Sequence, residues 1–133
     1  MDSPVRAAAI VIGLLCTIDS ARYSVGVPDL TVLSKICNGQ EFPYESFRVA
    51  LDIVLDRLIS NTPDYGFNYY DWSDSPSIYG HAACNGKLSK DDCQLCLTIA
   101  REQLSVHCPE NPYGAQVHLQ DCRMRYEFYE FDD

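Results

Sequence analysis

Two stretches of the chain have the apolar spacing of amphipathic helices. In residues 44–60, apolar side chains recur every three or four positions and charged side chains occupy the opposite face. A second helix is predicted to begin after Ser89, because Asp92 three positions later completes a variant of the capping box. Its apolar positions continue to about Val106. We therefore predict two helices separated by about thirty residues.

Runs rich in aromatic and small residues predict strands around the helices. Residues 66–72 and 77–84 are joined by the turn-like residues 73–76, a pattern typical of a hairpin. A short strand is predicted near residues 30–36, before the first helix.

The region after the second helix predicts one long strand or two within residues 115–131. Its buried positions change parity between Leu119 and Cys122, so we expect a bend or bulge near Gln120 and Asp121. The order is then strand, helix, two strands, helix, two strands. Helices on one face of an antiparallel sheet make this an α+β fold.

Length and charge narrow the class of protein. The chain has 133 residues, of which 47% are hydrophobic and 22% charged, which suits one globular domain without a second. Its net charge is -9, and its sequence pI is about 4.6. Like-charge repulsion therefore opposes binding to nucleic acid or to an anionic membrane, and we expect neither as a partner.

The first residues have the three parts of a secretory signal. Arg6 is followed by an apolar run over residues 7–17, and small residues lie near positions 20–24, where cleavage is expected. The run is too short for a membrane span, which needs about 20 apolar residues. We predict a signal peptide at residues 1–21 and one extracellular domain at residues 28–131. A buried N-terminal helix is the alternative.

The even number of cysteines in the predicted mature domain supports export of the chain. Cys16 lies in the predicted signal peptide, and six cysteines remain in the mature domain. An even set in an exported chain of this size predicts a disulfide framework, for which 15 pairings are possible. The six are Cys37, Cys84, Cys93, Cys96, Cys108 and Cys122.

Three of these cysteines form a Cys-x8-Cys-x2-Cys array at the start of the second helix. Cys93 and Cys96 share one face of that helix and are poorly placed to bond to each other, so each needs another partner. Cys84 can reach back to Cys93, and Cys96 can meet Cys122. An exported chain with an even cysteine set makes a zinc site at Cys93, Cys96 and the His107-Cys108 pair an unfavoured alternative.

The array resembles that of the ginkbilobin-type stress-antifungal domain of land plants. The matching segments are Cys37-Asn38 and residues 78–84, 88–93, 114–122 and 125–127. The resemblance covers nearly all of the mature chain. It implies two helices packed on a five-stranded antiparallel sheet, with bridges Cys37–Cys108, Cys84–Cys93 and Cys96–Cys122.

The resemblance also implies a ligand site. In the seed-type antifungal members of the family, mannose is bound by an Asn after the first cysteine, an Arg in a Gly-Ala-Arg segment and a Glu in the last strand. These positions are Asn38, Gln116 and Glu127 here. Gln116 can exchange hydrogen bonds with sugar hydroxyls but lacks the charged fork of a guanidinium. The structural alternatives are a turn residue at Asn38, a solvated strand position at Gln116, and an ion pair of Glu127 with Arg123 or Arg125.

Other residues favour structural roles. Tyr69, Tyr70 and Trp72 can stack on sugar rings, but core or hairpin packing is the favoured interpretation. The histidines have no nucleophile motif near them, so we expect structural histidines and no enzyme activity. The histidines are His81, His107 and His118.

Two functions remain from the sequence. The first is a secreted plant defence protein that binds mannose or a fungal wall glycan and restrains fungal growth. The second is an apoplastic protein-interaction module, as in the extracellular parts of receptor kinases that the family includes. An enzyme inhibitor is a weaker third idea. In each case we expect a monomer without a cofactor.

Overall fold

The elements expected from the sequence are present in the computed structural model, which describes residues 27–42, 45–108 and 112–133. The strands are β1 (Val32–Cys37), β2 (Asn68–Asp74), β3 (Ser77–Cys84), β4 (Ala115–Leu119) and β5 (Cys122–Glu127). The helices are α1 (Glu45–Asn61) and α2 (Lys90–His107), and a 3-10 turn covers Thr62–Asp64. The predicted signal peptide lies outside the described residues, so the domain boundaries stay a prediction.

The five strands form one sheet in the order β1-β4-β5-β3-β2, and every neighbouring pair is antiparallel. Helix α1 packs against β2 and β3, and α2 packs against β4 and β5. Both helices therefore cover the same face, and the predicted α+β fold is confirmed.

The parity change after α2 marks a turn between two strands. β4 ends at Leu119 and β5 begins at Cys122, so Gln120 and Asp121 form the loop of a hairpin. Because antiparallel pairing fixes the register, Val117 lies opposite Met124, and both are buried. The expected bend lies where it was predicted, and the long-strand alternative is wrong.

The first two strands begin two residues later than predicted, whereas β3 has its predicted bounds. β1 begins at Val32 and ends at Cys37. β2 begins at Asn68 because the backbone N–H of Phe67 donates to the carbonyl oxygen of Thr62 at 3.0 Å, which keeps the preceding residues in a turn.

The core lies between the helices and one face of the sheet. Gly80 of β3 lets α1 approach closely, since a Cβ there would lie 2.9 Å from Val54 Cγ1 and 3.0 Å from Leu58 Cδ1. At the start of α2, Ser89 Oγ accepts from the backbone N–H of Asp92 at 3.1 Å, which confirms the predicted cap. The most deeply buried side chains include Phe47, Leu51, Val54, Leu58, Ile78, Leu97, Val117 and Met124.

Three disulfides join the layers. Their pairing is Cys37–Cys108, Cys84–Cys93 and Cys96–Cys122, as the family resemblance implied. Because Cys93, Cys96 and Cys108 are disulfide-bonded, their thiolates are not free to hold zinc, and the zinc alternative is wrong. Among the described helices, none is long and apolar enough to cross a bilayer.

Candidate functional site

The sheet face opposite the helices carries most of the polar strand residues, and we call it the open face. Alternate strand positions point to opposite faces, so the neighbours of core residues point outward. Those outward positions are Gln116 and His118 of β4, Arg123, Arg125 and Glu127 of β5, Tyr79 and His81 of β3, and Tyr70 and Trp72 of β2.

The three residues predicted to bind sugar converge on one cavity of about 230 Å³ on the open face. Asn38 directly follows β1, Gln116 lies near the start of β4, and Glu127 ends β5. Because neighbouring strands are antiparallel, the end of β1, the start of β4 and the end of β5 lie at the same end of the sheet. The full lining is Ile36, Asn38, Gly114, Ala115, Gln116, Arg125, Glu127 and Tyr129.

Asn38 has the turn role considered for it. Its side-chain Oδ1 accepts from the backbone N–H of Gln40 at 2.9 Å, and its own backbone N–H donates to the carbonyl oxygen of Gly114 at 2.8 Å. These bonds fix the side chain at the cavity wall. The turn uses the oxygen of the amide, so the NH₂ group is the part that can serve a ligand.

Glu127 is buried and forms an ion pair with Arg125, one of the two partners considered for it. Arg125 Nε donates to Glu127 Oε2 at 2.8 Å, and its Nη1 donates to Asp133 Oδ1 at 2.7 Å. Burial acts to lower the pKa of Arg125, but the bonds to both carboxylates outweigh it and raise that pKa above its ordinary value. The cavity therefore holds a fixed guanidinium.

Arg125 lies directly opposite Gln116 on the neighbouring strand. The guanidinium expected at position 116 is thus supplied one strand away, within the same cavity lining. From the sequence alone, Arg125 was expected only as an ion-pair partner of Glu127. The signal that could have found it is the two-residue turn at Gln120 and Asp121, which sets Gln116 opposite Arg125 by register.

Gly114 makes room for the Glu127 carboxylate. A Cβ at Gly114 would overlap Glu127 Oε1, lie 3.0 Å from its Cδ, and approach the carbonyl oxygen of Tyr126 to 3.1 Å. Because one of these atoms belongs to the backbone, a side-chain rotation cannot relieve the whole clash. The Glu127 position therefore depends on a glycine at 114.

Residues 128–133, which we call the return segment, run back across the open face after β5. The Phe131 ring centroid lies 4.0 Å from the guanidinium carbon of Arg125. The backbone N–H of Asp133 donates to the hydroxyl of Tyr70 at 2.9 Å. The return segment thus lies between the cavity of Glu127 and the aromatic residues of β2.

His81 is fully buried beneath the return segment. Its Nδ1 lies 2.8 Å from Asp133 Oδ2, its Nε2 lies 2.5 Å from Asn68 Oδ1, and the Tyr70 ring stacks on it at 4.1 Å between centroids. The expectation of a structural histidine is confirmed at His81. Burial lowers its pKa, and the Asp133 carboxylate opposes that shift only in part.

Comparison with known proteins gives the family. The model of the Stress-antifung family, described as salt stress response/antifungal, matches residues 36–129. The chain belongs to the Stress-antifung family. The resemblance inferred from the cysteine array is therefore confirmed.

Relatives of this Stress-antifung chain include named antifungal proteins. It is 33% identical over 111 residues to antifungal protein ginkbilobin-like protein 2 of Picea glauca, covering 80% of this chain and 83% of that one. It is 35% identical over 103 residues to antifungal protein ginkbilobin-2 of Ginkgo biloba, covering 71% and 74%.

A solved structure shows the same fold. The crystal structure of the tandem DUF26 ectodomain of the cysteine-rich receptor-like protein PDLP8 of Arabidopsis thaliana matches with a TM-score of 0.65 and 31% identity. The match covers 77% of this chain and 46% of that ectodomain. The Stress-antifung chain thus spans about half the length of this structure.

The aromatic residues of β2 only partly follow the packing interpretation. Tyr69 packs against Tyr65, with ring centroids 4.8 Å apart, and Tyr70 stacks on His81. Trp72, however, is 59% exposed, so packing does not account for it. A second cavity, of about 830 Å³, adjoins Trp72 beside the return segment.

Acidification is expected to destabilise the Stress-antifung domain through His81. Its pKa in the folded chain lies below the ordinary 6.5, so the unfolded chain binds the proton first. This contribution to stability is complete above about pH 6.5 and decreases as the pH falls towards the folded pKa. Chemical denaturation between pH 7.5 and 5 measures it. His81→Gln should show a flatter profile, and an equal slope in both proteins would contradict this role.

Proposed function

We propose that this chain is a secreted plant defence protein that binds a mannose-type or fungal wall carbohydrate and restrains fungal growth. Its binding site is the cavity of Asn38, Gln116 and Glu127. It acts by binding and not by catalysis. The antifungal names of its relatives support this function.

The main support for this proposal is that Asn38, Gln116 and Glu127 line the same cavity as Arg125. A sugar presents several hydroxyls, which need both donors and acceptors. Asn38 offers an amide NH₂, Glu127 a carboxylate, and Arg125 a guanidinium whose five N–H donors exceed its bonds to Glu127 and Asp133. Charged partners make such hydrogen bonds about twice as strong as neutral ones.

Cavity size indicates what part of a glycan is held. At about 230 Å³ the cavity is smaller than a site for a drug-sized molecule, which occupies about 300–1,000 Å³. The flanking Tyr129 ring is 47% exposed and offers an apolar face to a sugar ring. A single terminal mannose fits this description better than an extended oligosaccharide.

Export is supported by the bonding state of the cysteines. Three disulfides are typical of a chain that folds in an oxidising compartment. The solved relative is an ectodomain, which agrees with this location. We propose the apoplast as the site of action.

Calorimetric titration of mannose into the refolded, oxidised chain tests the proposal. Glu127→Ala should abolish binding, Gln116→Arg should strengthen it, and Arg125→Gln should weaken it by about 10- to 150-fold, because a charged hydrogen bond is worth about 1.5–3 kcal/mol. Arg57→Gln is the matched control: Arg57 pairs with Asp71 at 2.5 Å, away from the cavity, and its loss should leave affinity unchanged.

Two results would contradict this function. Absence of binding at millimolar mannose removes carbohydrate recognition of this type. Unchanged affinity in both Glu127→Ala and Gln116→Arg moves the site away from this cavity.

A protein-interaction function is the second candidate, and an exposed apolar surface on α1 favours it. Val49 and Ile53 lie one helical turn apart and are 54% and 48% exposed. They line a groove with Pro76 on the outer side of the helix. Such a surface suits a protein partner better than a sugar. It does not involve Glu127, so a negative mannose titration would leave this candidate standing.

A further inference from the structure

Arg123 differs from the other arginines that the structure describes. Each of the others pairs with a carboxylate; these are Arg48, Arg57, Arg101 and Arg125. Within residues 27–42, 45–108 and 112–133, Arg123 has no carboxylate at ion-pair distance, and its buried Nε has no hydrogen-bond partner. The difference is notable in a chain with 19 acidic residues.

An unpartnered buried donor on a charged group is costly to keep. Buried polar groups in folded proteins are nearly always hydrogen-bonded, and a buried donor left without a partner lowers stability. Arg123 is held in the middle of the sheet, with His118 opposite it on β4 and Ala83 opposite it on β3. Arg123 as a whole is partly exposed, and a guanidinium without a carboxylate partner points to an anionic ligand.

A cavity of about 590 Å³ lies beside Arg123 on the open face. Its polar lining includes His118, Asn68 and Gln120, and Phe67 adds an apolar ring. It shares no lining residue with the cavity of Glu127. The volume lies in the range of about 300–1,000 Å³ that is typical of small-molecule sites.

One carboxylate lines this cavity, and its oxygens already accept hydrogen bonds. Asp121 Oδ2 accepts from the backbone N–H of Asp29 at 2.7 Å, and Asp121 Oδ1 accepts from Asn85 Nδ2 at 3.1 Å. Asp121 therefore stabilises the loop and is not the partner of the guanidinium.

We propose that this cavity binds a sugar acid of the hexuronate class. The ligand carboxylate pairs with the Arg123 guanidinium, whose planar fork matches a carboxylate. Ring hydroxyls bond to the side-chain amides of Asn68 and Gln120, and the ring packs near Phe67. This site is additional to the mannose site and does not depend on it.

His81 provides an independent readout. Burial is the largest cause that lowers the pKa of His81, and the Asp133 carboxylate opposes it. The positive charge of Arg123 is a smaller cause that also lowers this pKa. A carboxylate bound at Arg123 offsets that charge, so ligand binding raises the pKa of His81. NMR titration of the histidine ring, with and without ligand, measures the change.

Titration of glucuronate against glucose tests the site, because the two share a ring and differ by the carboxylate. The oxidised chain should bind glucuronate at least roughly tenfold more tightly than glucose, and Arg123→Gln should remove that preference. Lys90→Gln deletes the same charge at a side chain that is 70% exposed and should change nothing. Glu127→Ala should retain glucuronate binding. Arg123→Gln should melt at the same or a higher temperature than the parent chain.

Four results would overturn the proposal. They are no glucuronate binding at millimolar concentration, equal affinity in Arg123→Gln, binding of inorganic phosphate as tight as that of glucuronate, and a lower melting temperature in Arg123→Gln than in Lys90→Gln. The last result would give Arg123 a structural role. A mannose titration that fails while glucuronate binds would separate this site from the proposed function.

Discussion

Replacing Cys37 and Cys108 together by serine is expected to lower the free energy of unfolding by about 4.4 kcal/mol. This bridge closes the longest loop, with a sequence separation of 71, so its loss gives the unfolded chain the largest gain in conformational entropy. It also ties β1, an edge strand, to the end of α2. Asn38 directly follows Cys37, so mannose binding should weaken as well.

Denaturant unfolding without reductant measures the free energy of unfolding of this double-serine variant. The comparison is a second variant in which Cys84 and Cys93 are both replaced by serine. That bridge spans a separation of only 9, and the same loop model gives about 2.6 kcal/mol. Equal losses in the two variants would show that loop length does not set the contribution of these bridges.

Gly114→Ala is expected to abolish sugar binding and to lower stability by about 1–3 kcal/mol, the usual cost of overpacking. The new Cβ would overlap the Glu127 carboxylate and lie 3.1 Å from the carbonyl oxygen of Tyr126. The carboxylate must then leave its place between Gly114 and Arg125. Calorimetric titration and thermal unfolding measure the two effects.

Gly39→Ala is the matched control, because it makes the same substitution in the loop that carries Asn38. A Cβ at Gly39 meets nothing within 4 Å. Its effect on stability should stay within about 0.5 kcal/mol, as for an ordinary surface change. If both alanine variants bind mannose equally well, the position of Glu127 does not control the site.

The sequence was sufficient for the fold because its local signals agree. Helix α1 followed from its apolar spacing, and α2 from the cap at Ser89. The turn at Gln120 and Asp121 followed from the parity change along the strands. The disulfide pairing needed the family resemblance, since cysteine spacing alone permits 15 pairings.

The candidate site was predicted in part. Asn38, Gln116 and Glu127 came from the family motif, and the structure places them around one cavity. The position of Arg125 in the lining of this cavity was missed, because it depends on cross-strand register, which a list of motif positions does not contain.

No sequence pattern predicted the path of the return segment or the cavity beside Arg123. His81 meets Asp133 across 52 positions, and no periodic pattern links them. Whether Arg123 has a carboxylate partner depends on tertiary placement of side chains from three strands. Local patterns do not encode such contacts, so sequence reasoning could only note these residues singly.

Mannose binding at the cavity of Asn38, Gln116 and Glu127 is tested by an NMR titration of mannose into the isotope-labelled, oxidised chain. We expect the largest amide shifts at Asn38, Gln116 and Glu127, and we expect them to disappear in Glu127→Ala. Shifts centred on Trp72 or on Arg123, or no shifts at millimolar mannose, would contradict it.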